Sequence, residues 1–373
     1  MFVAWRDLRF AKGRFALMGT VIVLITVLVG LLSGLTAGLG RENTSAITAL
    51  PADRLAFAAP ADGREVSFAD SRVGRRAWEA WARVPGVASA EPLGIGTVKA
   101  AAGGGAGQRT AALSAFGVRP GSHLAPGGGK VADGAAVLSA KAADELGVRA
   151  GDRLTLSGRA LTVAAVAGEA MFSHTPVVWT SLDDWAGVTG GSGHGGSSGS
   201  SGDGAASATV VALTTTSDAG LDAADRRLGT RTVTTGEALR AIGSYTAENG
   251  SLQLMRGFLF AISALVIGAF FTVWTIQRSG DVAVLKALGA STRYLLRDAL
   301  GQAVVLLVAG TGVGTAVAAA VGAAVGGAVP FVLDPATVLV PALVMIALGA
   351  VGAALSIRRI TAVDPLTALG SAR

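Results

Sequence analysis

Four stretches of this chain run for about twenty residues or more without a charged side chain, at residues 15–39, 257–276, 300–329 and 336–357. A hydrocarbon core about 30 Å thick needs roughly 20 apolar residues as helix, so each stretch is long enough to cross a bilayer. Lipid offers the backbone no hydrogen-bond partner, and a helix satisfies its own groups. The chain therefore reads as a membrane α-helical protein with four transmembrane helices arranged one plus three. Composition agrees: 15% of the 373 residues are charged, whereas an average soluble domain carries about a quarter.

The placement of charge sets the expected orientation. Arg6, Arg9, Lys12 and Arg14 precede the first stretch, Arg278, Lys286, Arg293 and Arg297 separate the second from the third, and Arg358, Arg359 and Arg373 follow the fourth. Only Asp7, Asp281, Asp298 and Asp364 oppose them there. The link between the third and fourth stretches carries Asp334 and no Lys or Arg. The positive-inside rule then puts both termini in the cytoplasm, in a multi-pass protein of the cell membrane. Residues 40–251 hold 19 basic and 20 acidic side chains, so the net charge of +6 comes from the membrane margins. That makes the basic character a topology signal and removes nucleic acid as a partner. The first stretch, at 25 residues, exceeds a signal-peptide core of about 7–15 and reads as a retained span.

The expected organisation is a cytoplasmic segment 1–14, a first span 15–39, an extracellular domain 40–251, a second span 252–276, a cytoplasmic loop 277–299, spans at 300–329 and 336–357, and a cytoplasmic tail 358–373. The extracellular part is long enough for a folded domain, and its patterns mix α and β. Residues 137–146 read as a helix with Ser139 as N-cap and Gly147 past its end. Residues 153–157 and 160–166 alternate around Ser157-Gly158, a hairpin signal. Further strands are expected at 94–100, 110–118, 177–180 and 210–214, and helices at 71–83, 218–228 and 235–245. Residues 187–207 are almost wholly Gly, Ser, Ala and Thr and read as a flexible insert, with His194 no metal ligand.

Catalytic patterns are missing. The chain has no cysteine, which excludes disulfides, thiolate metal sites and a cysteine nucleophile, and three histidines leave little for a metal centre. Gly127-Gly128-Gly129-Lys130 is followed by Val131, not by the Ser or Thr of a Walker loop. There is no G-x-S-x-G elbow, and the adjacent pairs Asp183/Asp184 and Asp144/Glu145 read as solvated carboxylates. The expectation is a non-catalytic subunit with no metal and no resident cofactor. No span carries a charge at mid-depth, so an ion relay is not expected and the energy must come from another subunit. Gly30, Gly34 and Gly38 recur every fourth residue, and Gly310/Gly314 and Gly322/Gly326 repeat the spacing. Such stripes let helices approach closely, either inside one subunit or across a dimer.

The loop 277–292 reads QRSGDVAVLKALGAST, with Val282, Leu285, Leu288 and Gly289 at helical spacing. This is an amphipathic helix at the membrane face, suited to interfacial anchoring or to docking a partner. The A-V-L-K-A-L-G-A-S stretch and the tail R-R-I-T-A-V-D-P-L-T-A-L resemble the permease subunits of FtsX-like, MacB-type ABC transporters. V-L-S-A-K-A-A-D-E-L-G-V-R-A-G-D-R-L-T-L is similar to that family's periplasmic core. The resemblance implies a permease homodimer with two ATPase subunits that supply ATP hydrolysis, docked at Asp281, Val284, Leu285, Lys286, Leu288 and Gly289. The family usually has a charged run ending in Glu before this motif; here Ser279-Gly280-Asp281 stands instead.

Two further stretches, M-F-S-H-T-P-V-V from Met171 and G-S-Y-T-A-E-N from Gly243, are similar to segments of haem-exporting permeases of Gram-positive bacteria. Haem needs apolar faces, an axial N, S or O ligand and a cation near its propionates. Tyr245, Glu248, Met255 and Arg256, at the start of the second span, are the expected substrate contacts, joined by Met171, Phe172 and His174. Export of haem or a similar amphipathic compound is one expectation. The other is a mechanotransmitting permease that activates a cell-wall hydrolase or releases a lipoprotein.

Overall fold

The computed structural model describes residues 12–61, 63–127, 129–190, 207–277, 280, 284, 289, 291–326 and 329–361. From the N-terminus the elements are α1 (Lys12–Thr48), β1 (Arg54–Ala58), β2 (Val73–Gly74), α2 (Arg75–Trp81), β3 (Val87–Ala102), β4 (Arg109–Val118), β5 (Ala135–Leu138) and α3 (Ala140–Leu146). Next come β6 (Arg153–Leu156), β7 (Arg159–Val166), β8 (Met171–Phe172), β9 (Thr175–Ser181), α4 (Leu182–Thr189), β10 (Ser207–Ala208) and β11 (Val210–Thr215). The chain ends with α5 (Leu221–Leu228), β12 (Thr230–Thr234), α6 (Thr235–Ala238), α7 (Gly243–Gln277), α8 (Thr292–Val325) and α9 (Pro335–Thr361). It divides into a helical unit, Met1–Leu39 with Gly250–Arg373, and an inserted domain, Gly40–Asn249.

The four helices α1, α7, α8 and α9 are long and apolar enough to cross a membrane. Helix α9 starts where Asp334 accepts from the Thr337 N–H at 2.6 Å and Pro335 fills the first helical position, which has no use for an N–H. Glycines bring α1 and α8 together. A Cβ on Gly30 would lie 2.9 Å from the Ala318 methyl, one on Gly314 2.8 Å from the Val23 carbonyl, and one on Gly310 2.9 Å from Ile22 Cγ2. Gly34 and Gly322 face the Phe331 ring, and Gly38 faces the Pro330 carbonyl. The Val332 N–H donates to the Gly34 carbonyl at 3.2 Å, fastening this connecting segment to α1. The stripe of Gly30, Gly34 and Gly38 is thus occupied from within one chain.

In the inserted domain the sheet runs β12-β1-β11-β3-β4-β9-β5-β7-β6, and β6 also pairs with β3, so six strands close into a ring. Alternation along the strands feeds two cores. Ala56, Ala100, Leu113, Ala115 and Leu213 face one with Trp78, Trp81 and Trp185, while Leu55, Phe57, Leu93, Phe116 and Ala212 face the other with Trp179. Residues 40–48 of α1 continue as helix beyond the expected span end at residue 39 because Ala46 and Ile47 are buried in this second core.

Local chemistry explains where the sequence expectations shift. Val137 and Leu138 belong to β5, not to a helix, since they pair with β7 and β9; the helix starts after Ser139, whose Oγ accepts from Ala142 N. Gly187–Thr189 is the last turn of α4 rather than flexible insert, because Val188 is buried, and Ser207 opens β10; residues 191–206 lie outside the described set. Asp184 is not solvated. Its Oδ1 sits 2.7 Å from Arg159 Nη2 and its Oδ2 accepts from Gly134 N at 2.7 Å, whereas Asp183 is exposed. At the margin of the sheet, the Thr232 N–H donates to Asp225 and the Thr234 N–H to Glu237. The backbone and side-chain bonds from Thr234 hold the Glu237 carboxyl below its ordinary pKa.

Candidate functional site

Strands β8 and β9 pair as Phe172↔Thr175, leaving Ser173 and His174 as a two-residue loop. Both have positive φ, +49° and +62°. A tight hairpin wants that backbone and usually takes it with Asn-Gly, since an L side chain in the left-handed region costs about 1–2 kcal/mol. Neighbouring groups hold the turn. The Ser173 N–H donates to the Asn43 carbonyl at 3.0 Å, and Ser173 Oγ lies 2.9 Å from Ser244 Oγ. His174 Nε2 donates to Glu248 Oε2 at 2.7 Å, and Ser244 Oγ donates to Asn43 Oδ1 at 2.9 Å.

Asn43 is the hub, at 1% exposure, with its amide also 3.4 Å from Glu248 Oε2. A second carboxylate stands on the far side of the imidazole: Glu42 Oε2 is 4.0 Å from His174 Nδ1, while Glu42 Oε1 accepts from Lys141 Nζ at 2.6 Å. One imidazole therefore sits between two carboxylates. Among the described residues no group of three or more His, Asp or Glu is arranged to hold a metal ion.

The expected substrate residues fall into separate settings. His174 and Glu248 meet directly. Met171 is buried, and its N–H donates to Ser45 Oγ at 2.9 Å. Phe172 lies edge-on to Phe68 and Phe116, at 5.5 and 5.6 Å between centroids, inside an aromatic chain that continues to Phe57 and Trp179. Tyr245 packs against the same core. Met255 and Arg256 belong to the helical unit, where Met255 is exposed and the Arg256 guanidinium lies 5.9 Å from the Phe260 ring centre.

Of the expected docking residues, Val284 is helical and exposed and Gly289 has a φ of +93°. Asp281, Leu285, Lys286 and Leu288 lie outside the described residues. Sequence reasoning missed Glu42, Asn43 and Lys141. The first two look like the polar flank of an apolar run, and nothing local ties them to a histidine 131 positions beyond Asn43.

Four membrane-length helices with an α+β domain between the first and second define a class, the polytopic membrane proteins with one large inserted domain. Residues 15–229 match the MacB-like periplasmic core domain and residues 254–365 the FtsX-like permease C-terminal domain. The chain belongs to the FtsX-like, MacB-type family of ABC transporter permeases. It is 24% identical over 375 residues to the hemin transport system permease protein HrtB of Staphylococcus epidermidis, covering 99% of each chain. It is 25% identical over 389 residues, again 99% of each, to the ABC transporter permease Rv2563 of Mycobacterium tuberculosis. The extracellular domain of the transporter YknZ from Gram-positive bacteria superposes with a TM-score of 0.35 at 15% identity, covering 49% of this chain and 98% of that one.

Proposed function

We propose that this chain is the permease subunit of an ATP-driven exporter that moves haem, or a similar amphipathic compound, out of the membrane. The observation that carries the reading is similarity along 99% of the chain to staphylococcal proteins named for hemin transport. Membership of the ABC permease family implies a separate ATPase. In this reading two ATPase copies serve a permease homodimer and dock on the loop around Val284 and Gly289, with both termini cytoplasmic as the basic margins favour. The apolar spans, free of mid-depth charge, suit a substrate taken from the lipid rather than led through a polar channel.

Tyr245 and Glu248, on the inserted domain's part of α7, and Met255 and Arg256, on the helical unit's part, are the substrate contacts in this reading. Met255 and Arg256 offer a thioether and a cation, groups that suit a haem iron and a propionate, while Tyr245 packs against the domain core. Met171 and Phe172 are buried within the inserted domain, and His174 is held on Glu248. The test is a haem titration of the permease with its ATPase in nanodiscs, followed at the Soret band. A saturable shift, with higher haem tolerance on expression, is expected. Neither a shift nor a gain in tolerance would overturn the haem reading and leave mechanotransmission to an extracellular hydrolase or lipoprotein.

A further inference from the structure

The Ser173–His174 turn joins three elements within the inserted domain. Its main chain is fastened to Asn43 on α1, its side chains to Ser244 and Glu248 on α7, and its strand runs into the aromatic core at Phe172. Ser45, also on α1, both accepts from the Met171 N–H at 2.9 Å and donates to the Met171 carbonyl at 3.3 Å. Among the described residues strand β8 pairs with β9 alone. The strained loop therefore depends on side chains from two helix ends rather than on a wide ladder.

We propose that this turn is a latch between residues 40–48 of α1 and 243–249 of α7. It is closed while the two helix ends keep their present spacing and released when they part. Release lets Ser173 and His174 leave the left-handed backbone, and the hairpin carries the change to Phe172 and the core. The source of the parting motion rests on the proposed ATP-driven action; the latch itself rests on the contacts just given.

The chain has no cysteine, so a pair can be introduced without background. Ser173→Cys with Ser244→Cys places two thiols where hydroxyl oxygens now stand 2.9 Å apart, within reach of a disulfide. The protein to use is the full permease with its ATPase in nanodiscs, with each single variant as a folding control. Rapid cross-linking is expected without nucleotide, and roughly fivefold slower cross-linking in the ATP-trapped state, as a population shift away from the closed latch would give. The oxidised pair should halt export, and reductant should restore it. Equal cross-linking rates in both nucleotide states, failure to cross-link in either, or undiminished export by the oxidised protein would each overturn the latch. A wild-type complex that neither binds nor exports haem would overturn the substrate reading instead, while the dependence of cross-linking on nucleotide still decides the latch.

Discussion

Most described glycines of the helical unit are met by a neighbouring atom, whereas most of those in the inserted domain turn the chain. Gly30, Gly34, Gly38, Gly314 and Gly322 lie inside helices, and a side chain on any of them would meet another segment. Gly147 and Gly158 have φ of +66° and +92° and end a helix or close a hairpin. The difference follows from the solvent. Between helices in lipid there is no hydrophobic drive to association, so close backbone approach supplies the packing. In a water-facing domain apolar burial supplies it, and glycine is left to resolve backbone geometry.

Gly94 and Gly117 break the pattern. They sit in strands beneath the buried Trp185 ring, whose plane occupies the space where their side chains would be. These two positions behave like the membrane glycines although they belong to the domain. What sorts glycines is therefore the nearness of a neighbour, not the unit that holds them.

Substitutions break or sharpen this contrast. The largest effect is expected for Gly38→Ala, because the atom it meets is the Pro330 carbonyl oxygen, which is backbone and cannot swing aside. A loss of roughly 4 kcal/mol, read as a collapse of the detergent-solubilised permease on thermal melting, is expected. A melting curve matching wild type would show that the 329–334 segment does not rest on α1. Gly117→Val in the domain should cost about 2 kcal/mol by displacing Trp185, with a matching change in tryptophan emission. If stability falls without any emission change, the indole is not the neighbour that matters. The smallest effect belongs to Gly147→Ala, where the left-handed C-cap is the main constraint and the nearest group is the flexible end of Arg109; about 1 kcal/mol is expected. A neutral outcome there would erase the distinction between touching and turning glycines.

The same contrast governs how much could be read from the sequence. The spans were legible because membrane helices write their length directly as uncharged residues. The two two-residue hairpin loops show where legibility stops. Ser157-Gly158 announces itself by its glycine and lies where the sequence reading puts it, with β6 and β7 paired as Leu156↔Arg159. Ser173-His174 adopts the same unusual sign of φ with no glycine, because partners as distant in sequence as Asn43 and Glu248 hold it there. Strands β1 and β12 were missed for a related reason. Their partners are each other and β11, all remote in the chain, and Thr-Arg-Thr-Val-Thr is too polar to stand out. Asp184 looked solvated beside Asp183 because burial of one carboxylate of an adjacent pair is decided by Arg159 and Gly134, not by its neighbours in sequence.

Strand β12 ends one side of the sheet, and the amides of Thr232 and Thr234 that would recruit another strand are spent on Asp225 and Glu237. A crowded membrane surface would otherwise invite neighbouring copies to zip together edge to edge. With these two acids in place, two of the donors that an added strand would need are already taken, which blunts this edge against such pairing.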